Sequence, residues 1–493
     1  MKYGFLIDHD RCIGCHACTV ACKAENNVPV GDFRTWVKYV EKGAFPEVRR
    51  HFAVLRCNHC SNAPCVTICP VNALEKRADG IVDIDRDACI GCRACMQACP
   101  YDAIYLNQDS GAVEKCHFCA HRVEKGLEPA CVIVCPEQAI IAGDLQNPKA
   151  KIAQMLVQCE TIVRRPEQRT GPNVYYKGVE PAGLDPGGPE RPSSYLWSQR
   201  PPHKPEPWPI SLPVLPNTRV VLDTGHKVEW GWTVALYLVT KAIGAGAGIL
   251  APFAAWLGLT GWNAAYLPEV LALVFTAITA AILIEDLARP ARFYRLLTRP
   301  NWKSWLVKGG IILTIYAALA AAGIAARFLD AGHLAELLRW PLAALGLATA
   351  GYTALLFAQC EGRDLWQSKW CLPHLLVQAS MVGGTAFAAA GASPAKAAIV
   401  VGASAVMHIV IGCLERFGTH ETSNARQAAA FLGTLRVDAT PAWMSAWTLS
   451  MLLVVLGAGV VFFGAWAGLA LVLAGLFVYE WTFVRAGQLP PLS

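Results

Sequence analysis

The stretch "CIGCRACMQACP", residues 89–100, places four cysteines at spacings of three, three and four residues and ends in a proline. Two-residue gaps let a tight loop hold one small iron–sulfur cluster with three thiolates, while the fourth cysteine points away toward a second cluster. The proline fixes φ and turns the chain out of the site. This stretch therefore predicts paired cluster sites built by short loops.

Three further groups of four cysteines occur in the chain, and the first of them repeats the same spacing. The four groups are Cys12, Cys15, Cys18 and Cys22; Cys57, Cys60, Cys65 and Cys69; Cys89, Cys92, Cys95 and Cys99; and Cys116, Cys119, Cys131 and Cys135. Sixteen of the 20 cysteines thus lie in C-x-x-C clusters rather than as the scattered partners of a disulfide scaffold. Structural zinc is the alternative, but zinc sites usually use two separated pairs of ligands.

In chain order, "CIGCHACTVAC", "CNHCSNAPCVTICPVNAL", "DACIGCRACMQACPYDAI" and "KCHFCAHRVEKGLEPACVIVCPEQAI" resemble the four motifs of the electron-transfer subunit of DMSO-reductase-type molybdoenzymes. The resemblance covers residues 1–160 and implies an α+β fold of two interlaced ferredoxin-like modules. It implies that group one pairs with group four, and group two with group three. The ligand sets so implied are Cys12, Cys15, Cys18 and Cys135; Cys22, Cys116, Cys119 and Cys131; Cys57, Cys60, Cys65 and Cys99; and Cys69, Cys89, Cys92 and Cys95. Since Cys92 is present, where some relatives replace a thiol and hold three irons, we expect four [4Fe–4S] clusters.

Short apolar runs flank the motifs, among them "GIVDID" and "AIYL", and predict small strands. Lys23, Lys115, His59 and His117 lie next to predicted ligands. They are candidates for tuning cluster potentials through charge and hydrogen bonding. The alternative for each is a solvated surface position.

Residues 161–228 lose hydrophobic periodicity and are rich in proline, as in "RPPHKPEPWPISLPVLP". Such a segment is extended and forms no core of its own. We interpret it as a linker that is either a flexible tether or an arm laid over a partner subunit. The aromatic anchors of such an arm are Tyr175, Tyr176, Tyr195, Trp197 and Trp208.

Residues 229–493 are predicted to form an all-α membrane domain, because they contain eight apolar segments long enough to cross a bilayer. The segments lie near 232–257, 265–287, 305–328, 340–359, 373–391, 395–414, 443–464 and 466–484. Tryptophans cluster at the segment ends, which is typical of an interfacial belt. Small-residue runs such as "AIGAGAG" and "MVGGTAFAAAGAS" predict close helix packing.

The distribution of basic residues predicts the orientation of this domain. Twelve lysines and arginines fall in the connections on the amino-terminal side and three on the other side. This bias, and an opening "MKYGFLIDHDRC" in which we expect no export signal, place the cysteine-rich domain on the cytoplasmic face of a bacterial or archaeal inner membrane. The alternative is the periplasmic face, reached on a partner's signal, with the basic loop serving a function other than topology.

The stretch "IEDLARPARFYRLLTRPNWKSWLVKGG", residues 284–310, and the ending "YEWTFVRAGQLPPLS" resemble the membrane subunits of the NrfD/polysulfide-reductase family. The resemblance covers residues 229–493 and implies a quinone site without haem beside the end of the second helix. In this sequence that position corresponds to Leu283, Ile284, Glu285 and Asp286. Ala288 stands where the family often has glycine, which leaves the local backbone geometry open.

Ionisable residues inside apolar segments are costly in hydrocarbon and mark functional sites. The set is Lys241, Glu285, Asp286, His374, His408, Glu415, Glu480 and Arg485, nearly all of them in the half nearer the cysteine-rich domain. We take Tyr237, Lys241 and His374 as candidate quinone contacts, and His408 as a further deep residue of the same site. A single b-type haem between His374 and His408 is the competing cofactor.

These features predict an electron-transfer and membrane-anchor subunit of a quinone-linked oxidoreductase. No pterin site or Gly-rich dinucleotide loop is recognised, so we expect the primary substrate site on a molybdopterin subunit of the DMSO-reductase superfamily. Quinone (menaquinone or ubiquinone) and membrane lipid are the other expected partners, and nucleic acid is not. The alternatives are an ion-translocating energy converter, with Lys241, His408 and Glu480 on a proton path, and a passive membrane anchor.

Overall fold

The computed structural model describes residues 1–191, 215–437, 441 and 444–493. Within that part, a domain of short strands and cysteine-bearing loops is joined to a bundle of long helices. The predicted anchors Tyr195, Trp197 and Trp208 lie outside the described residues.

The amino-terminal domain contains four small sheets, which confirms the predicted α+β class. The strands are β1 (Tyr3–Asp8), β2 (Thr35–Lys42), β3 (Arg49–Arg56), β4 (Leu74–Lys76), β5 (Val82–Ile84), β6 (Ile104–Leu106), β7 (Val113–Lys115), β8 (Ile140–Asp144), β9 (Val174–Lys177) and β10 (Thr218–Leu222). Their orders are β8-β1-β9, β10-β2-β3, β4-β5 and β6-β7. The helices of this domain are α1 (Ala17–Asn26), α2 (Pro64–Ile68), α3 (Ala94–Ala98), α4 (Ala120–Val123), α5 (Ala130–Ile133), α6 (Lys151–Gln158) and α7 (Pro181–Leu184).

The pairing of β1 with β8 brings the two ends of the cysteine-rich region together. The strands are antiparallel, with Tyr3 opposite Asp144 and Ile7 opposite Ile140. Because the first cysteine group follows β1 and the last precedes β8, both groups meet at one end of this sheet. Inside that frame, the hairpins β4-β5 and β6-β7 connect the second group to the third and the third to the fourth.

The described ends of the predicted linker contribute strands to the cysteine-rich domain. Strand β9 runs parallel to β1, with Phe5 opposite Val174, and β10 runs antiparallel to β2, with Thr218 opposite Lys42. Tyr176 is buried in this domain rather than available to a partner subunit. Strands of four and five residues between prolines carry too little alternation to be recognised in a sequence.

The carboxy-terminal part is a bundle of long apolar helices. It comprises α8 (Trp232–Leu250), α9 (Gly261–Ala265), α10 (Leu267–Glu285), α11 (Arg295–Thr298), α12 (Trp305–Phe328), α13 (Gly332–Gln359), α14 (Cys371–Ala389), α15 (Pro394–Phe417), α16 (Ser423–Thr434), α17 (Ala446–Val460) and α18 (Ala465–Gln488). Seven of the described helices are long and apolar enough to cross a membrane, and α17 is a shorter apolar helix. The seventh predicted segment, 443–464, is therefore shorter than expected. The chain is a multi-pass membrane protein.

The first and last long helices have their outer ends on the side of the cysteine-rich domain. Gln488, the last residue of α18, donates a hydrogen bond of 2.8 Å to the main-chain oxygen of Trp230, just before α8. This arrangement agrees with an even number of passes through the bundle.

Small residues allow α8 and α14 to approach closely, as the sequence predicts. A Cβ atom on Gly246 would lie 2.0 Å from the main-chain oxygen of Ala379, and one on Gly383 would lie 2.5 Å from the carbonyl carbon of Gly246. Backbones in such contact gain van der Waals packing where lipid offers no hydrophobic driving force. The centre of the bundle is thereby fixed around α8.

Candidate functional site

The structure brings the sixteen predicted ligands together as four cysteine sites. Site 1 consists of Cys12, Cys15, Cys18 and Cys135; site 2 of Cys22, Cys116, Cys119 and Cys131; site 3 of Cys57, Cys60, Cys65 and Cys99; and site 4 of Cys69, Cys89, Cys92 and Cys95. The cysteines of sites 1, 2 and 4 each line one space. Four sulfur donors around one space fit a cubane iron–sulfur cluster, which supplies one-electron redox chemistry when bound. The assignment of individual ligands stays a prediction.

Site 3 is recognised from the mutual influence of its thiols. Burial raises the pKa of Cys65 far above that of a free thiol, and the neighbouring Cys99, Cys57 and Cys60 raise it further. Thiols held in this way release protons when a metal centre binds them, because the thiolate is the ligand.

Two of the loops that carry these cysteines place glycine in the left-handed region. Gly14 and Gly91, each before the second cysteine of a C-x-x-C pair, have φ of +72° and +71°. A Cβ atom on Gly14 would lie 2.5 Å from the ring of Phe52. Glycine therefore lets the loop curl around the site while a neighbouring element packs directly against it.

Electrostatic interactions between thiols of different sites indicate their order in space. Burial raises the pKa of Cys18 to about 11, and Cys131 of site 2 contributes to this increase. Burial likewise raises the pKa of Cys116, with Cys57 of site 3 contributing. It raises the pKa of Cys95, with Cys65 of site 3 contributing. The sites therefore follow one another from 1 to 4.

Buried cations and histidines lie between the sites. Arg56 is fully buried, donates to the sulfur of Cys131 at 3.3 Å and lies over the ring of Phe5. Lys115 is buried and donates to the main-chain oxygen of Cys116 at 2.9 Å. Burial lowers the pKa of His59 well below its usual value, and Lys115 lowers it further, which keeps this ring neutral. A solvated surface position is thus wrong for Lys115 and His59, whereas Lys23 and His117 are half-buried.

Site 4 lies directly against the helical bundle. Main-chain N–H of Ala288 donates to the oxygen of Gly91 at 3.2 Å, and a Cβ atom on Gly91 would lie 2.6 Å from that of Ala288. Arg93 pairs with the Asp286 carboxylate at 2.9 Å and donates to the main-chain oxygen of Glu229 at 3.2 Å. Alanine at position 288 is accommodated because the residue facing it is glycine.

The basic connection after α10 binds the loops around site 4. Arg289 donates to the main-chain oxygens of Ser110 and Arg86, both at 2.6 Å, and Arg292 donates to that of Asp87 at 2.6 Å. These arginines therefore hold the two parts of the chain together in addition to any role in topology.

A cluster of buried ionisable and hydroxyl side chains, the polar core, lies in the bundle beneath site 4. It consists of Lys241 on α8, His374 on α14, His408 and Glu415 on α15, and Tyr479 and Glu480 on α18, all of them at most 2% exposed. The long apolar helices bury these groups because their small residues let the backbones come close.

Hydrogen bonds connect most of the polar core. Nε2 of His374 lies 2.8 Å from Nδ1 of His408, and its Nδ1 lies 2.9 Å from the Glu415 carboxylate, which also accepts a hydrogen bond from Tyr479. Nε2 of His408 is buried and has no partner among the described residues. Glu480 interacts electrostatically with both His374 and Lys241.

Lys241 is held by α13 rather than by a carboxylate. Its ammonium donates to the main-chain oxygen of Ala350 at 3.1 Å and to the hydroxyl of Thr353 at 2.5 Å. It also lies 4.9 Å from the ring centroid of Tyr352.

The other predicted quinone contacts have different surroundings. Tyr237 is buried one helical turn before Lys241. Asp286 is occupied by Arg93 and by Thr233, whose hydroxyl donates to it at 2.5 Å. Leu283 and Ile284 are half-buried, and Glu285 is exposed at the end of α10. A haem iron between His374 and His408 would require their hydrogen bond to be broken.

Several residues of this region are not recognisable from the sequence. Tyr479 and Thr353 are hydroxyl-bearing residues within apolar helices, and Arg93 lies inside a cysteine motif without a distinguishing pattern. Trp230 belongs by sequence to the predicted interfacial belt and Trp366 has no distinguishing pattern, yet both are buried at the boundary of the two parts. Glu269 is buried in the far half of the bundle, where it pairs with Arg339 at 2.7 Å.

Comparison with known families matches both parts of the protein. A family described as "4Fe-4S dicluster domain" matches residues 48–145, one described as "4Fe-4S binding domain" matches residues 3–24, and one described as "Polysulphide reductase, NrfD" matches residues 220–485.

Among individual relatives, a tetrathionate reductase subunit of Salmonella typhimurium is 46% identical over 189 residues, which cover 38% of this chain and 76% of the relative. A polysulfide reductase chain of Wolinella succinogenes is 37% identical over 187 residues, covering 37% of this chain and 98% of the relative. The thiosulfate reductase electron transfer subunit PhsB of Salmonella typhi is 42% identical over 182 residues, covering 36% of this chain and 93% of the relative.

Proposed function

Because the protein belongs to the polysulphide reductase NrfD family and carries 4Fe-4S domains ahead of that region, we propose that it is the electron-transfer and membrane-anchor subunit of a quinone-linked molybdopterin oxidoreductase. In this proposal four [4Fe–4S] clusters pass electrons between a catalytic subunit and the membrane quinone pool. Both functions reside in one polypeptide.

The observation that carries the proposal is the continuous placement of the redox sites. Sites 1 to 4 follow one another through the soluble domain, and site 4 contacts the bundle directly above the polar core. A chain of clusters that ended in solvent would not need this contact between site 4 and the bundle. A chain of clusters that ends over buried protonatable groups suits a two-electron, two-proton carrier in the membrane.

The polar core supplies what quinone chemistry requires of the protein. Lys241 offers a cationic donor, and the His374–Glu415–Tyr479 network offers groups that hold and move protons. The unpartnered Nε2 of His408 is a free polar atom that a ligand oxygen or water can satisfy. Asp286 serves mainly as an anchor for Arg93, so we place the quinone nearer Lys241 than the end of α10.

The catalytic partner is proposed to dock at the opposite end, around site 1. Cys15 is exposed there, and the neighbouring Ile13 and Val20 are 56% and 64% exposed. The relatives named above are components of tetrathionate, polysulfide and thiosulfate reductases. By analogy the partner is the large molybdopterin subunit of a reductase of this kind.

We also propose that the cysteine-rich domain faces the cytoplasm. Four basic residues on this side contact that domain, so their positions do not by themselves indicate the orientation in the membrane. They are Arg289, Arg292, Arg299 and Arg363. The other eight basic residues on this side still outnumber the three on the far side. Attaching a reporter to the loop between α12 and α13 tests the side directly.

One experiment tests the main proposal. The complex is solubilised from membranes, the co-eluting large subunit is identified, and a quinol analogue is added while the clusters are followed by EPR. Quinol should reduce the clusters of the wild type and of Lys396→Ala, a half-buried lysine at the far end, but not those of Lys241→Ala. Absence of reduction in the wild type would refute the proposal, and full reduction of an assembled Lys241→Ala complex would refute this quinone site.

Proton translocation is a second candidate function, which the far half of the bundle favours. The buried pair of Glu269 and Arg339, with Glu336 at 3.1 Å from Arg339, continues the series of ionisable groups toward the other face. Quinol-driven acidification or alkalinisation in sealed liposomes distinguishes this function from simple electron transfer. A passive anchor predicts neither proton movement nor loss of quinol-linked reduction in Lys241→Ala.

A further inference from the structure

We propose that three stacked aromatic rings, those of Trp230, Trp366 and Phe357, carry electrons between site 4 and the polar core. This inference rests on the function proposed above. The three rings form a compact triangle, because Trp230 and Phe357 also approach each other directly, with centroids 6.2 Å apart and planes at 32°. Trp230 and Trp366 are stacked with centroids 5.6 Å apart and planes at 16°, and Trp366 and Phe357 with centroids 4.7 Å apart and planes at 17°. Both distances lie within the range of interacting aromatic pairs.

The upper end of the stack touches a predicted cluster ligand. The indole Nε1 of Trp230 donates to the main-chain oxygen of Cys92 at 3.5 Å. Cys92 lines site 4, the site nearest the bundle. The first ring is therefore connected to the ligand loop without an intervening side chain.

The lower end of the stack reaches the residues that hold Lys241. Phe357 lies four residues after Thr353 on α13, which is about 6 Å along the helix axis. Thr353 accepts the hydrogen bond from Lys241. The three rings thus bridge the space between the ligand loop and the proposed quinone site.

The surroundings fix the position of Trp366. The ring is 1% exposed and its Nε1 donates to the main-chain oxygen of Phe483 at 3.5 Å. A Cβ atom on Gly487 would lie 2.2 Å from that Nε1, so α18 passes the indole at a point where only glycine fits. The indole ring is thus accommodated because α18 carries no side chain at this position.

A contiguous π system couples donor and acceptor better than saturated side chains of the same size. Packing alone would be served equally by aliphatic residues, because burial scales with apolar area. Each passage through the stack moves one electron and makes or breaks no bond. Two passages accompany the interconversion of one quinol with its quinone and two protons.

The test compares Trp366→Phe with Trp366→Leu in the purified full complex, with Trp370→Leu as control for the loss of a nearby tryptophan. Three quantities are measured: the rate of cluster reduction after mixing with a quinol analogue, the cluster midpoint potentials by EPR titration, and the circular dichroism couplet of the stacked tryptophans. Trp366→Leu should slow reduction severalfold, because only the longer, tilted contact of Trp230 with Phe357 remains, and it should leave the potentials unchanged. Trp366→Phe and Trp370→Leu should stay near the wild-type rate, and the couplet should disappear in both Trp366 variants only.

Equal rates in Trp366→Leu and the wild type would overturn the inference. Equal slowing in both Trp366 variants, accompanied by shifted potentials, would show a packing role and overturn it as well. Where Trp366→Leu does not assemble, Phe357→Leu and Phe357→Tyr give the same comparison. A wild-type complex that quinol does not reduce would overturn the proposed function and this inference with it.

Discussion

Replacing Arg93 by alanine is expected to destabilise the junction between site 4 and the bundle by about 3 kcal/mol. The guanidinium of Arg93 pairs with the Asp286 carboxylate at 2.9 Å. It also donates to the main-chain oxygens of Asp286 and Glu229. No other side chain of the described residues joins the site 4 loop to both α10 and the start of α8 in this way.

The size of the effect follows from the burial of the pair. The two side chains are 16% and 20% exposed. An exposed pair contributes less than about 1 kcal/mol, and breaking a fully buried one costs roughly 3–5 kcal/mol. We therefore assign about 2 kcal/mol to the pair and about 1 kcal/mol to the main-chain hydrogen bonds.

Hydrogen exchange of the amides in residues 89–95 and 284–290 measures the free energy of opening this junction. A double-mutant cycle of Arg93→Ala and Asp286→Ala should give a coupling of about 2 kcal/mol, or roughly 30-fold in exchange rate. Arg93→Lys should recover only part of it, because lysine lacks the planar fork. If the effects of the two single variants on the free energy of opening were additive, with a coupling below about 0.5 kcal/mol, the reasoning would be refuted.

Three further predictions concern other parts of the protein. Gly246→Ala should lower the thermal stability of the detergent-solubilised bundle, because its Cβ would lie 2.0 Å from a main-chain oxygen of α14, whereas Gly310→Ala, with nothing within 4 Å, should not. Burial lowers the pKa of Lys38 to about 7, whereas a lysine in the unfolded chain has a pKa of about 10.4. Between these two pH values the folded state binds fewer protons than the unfolded state, so the free energy of unfolding rises with pH across that window. Lys38→Met should remove this slope and raise stability at pH 7 by on the order of 4 kcal/mol, measured as the urea midpoint for bleaching of the clusters; an unchanged slope would contradict it. Cys92→Ser should remove or convert one cluster in the EPR spectrum, while Cys159→Ser, outside the four sites, should leave all signals intact.

The four cysteine groups were predictable because the local spacing of their thiols is typical of iron–sulfur cluster ligands. Two-residue gaps in the motifs fix three donors per loop, and the resemblance to a known family supplied the pairing that β1 and β8 impose in space. The close packing of α8 on α14 was equally predictable, since runs of small residues within apolar segments are typical of closely packed membrane helices.

The junction and the polar core were only partly predictable. Lys241, His374, His408 and Glu480 stand out because charge is costly in hydrocarbon. Tyr479 is compatible with an ordinary apolar helix and joins the site only through tertiary packing. The same holds for the aromatic stack, whose members come from three separate segments.

The contacts of Arg289 and Arg292 have a consequence for how such proteins diversify. Their hydrogen bonds all end on main-chain oxygens, those of Arg86, Asp87, Cys89 and Ser110. Substitutions at positions 86, 87 and 110 leave these acceptors in place as long as the loop keeps its path. Recognition by these two arginines thus depends on backbone shape rather than residue identity, whereas the Arg93–Asp286 pair adds a side-chain contact at the same junction. Electron-carrying modules that keep the path of this loop and that pair can therefore occupy the same position even where the rest of their surfaces diverge.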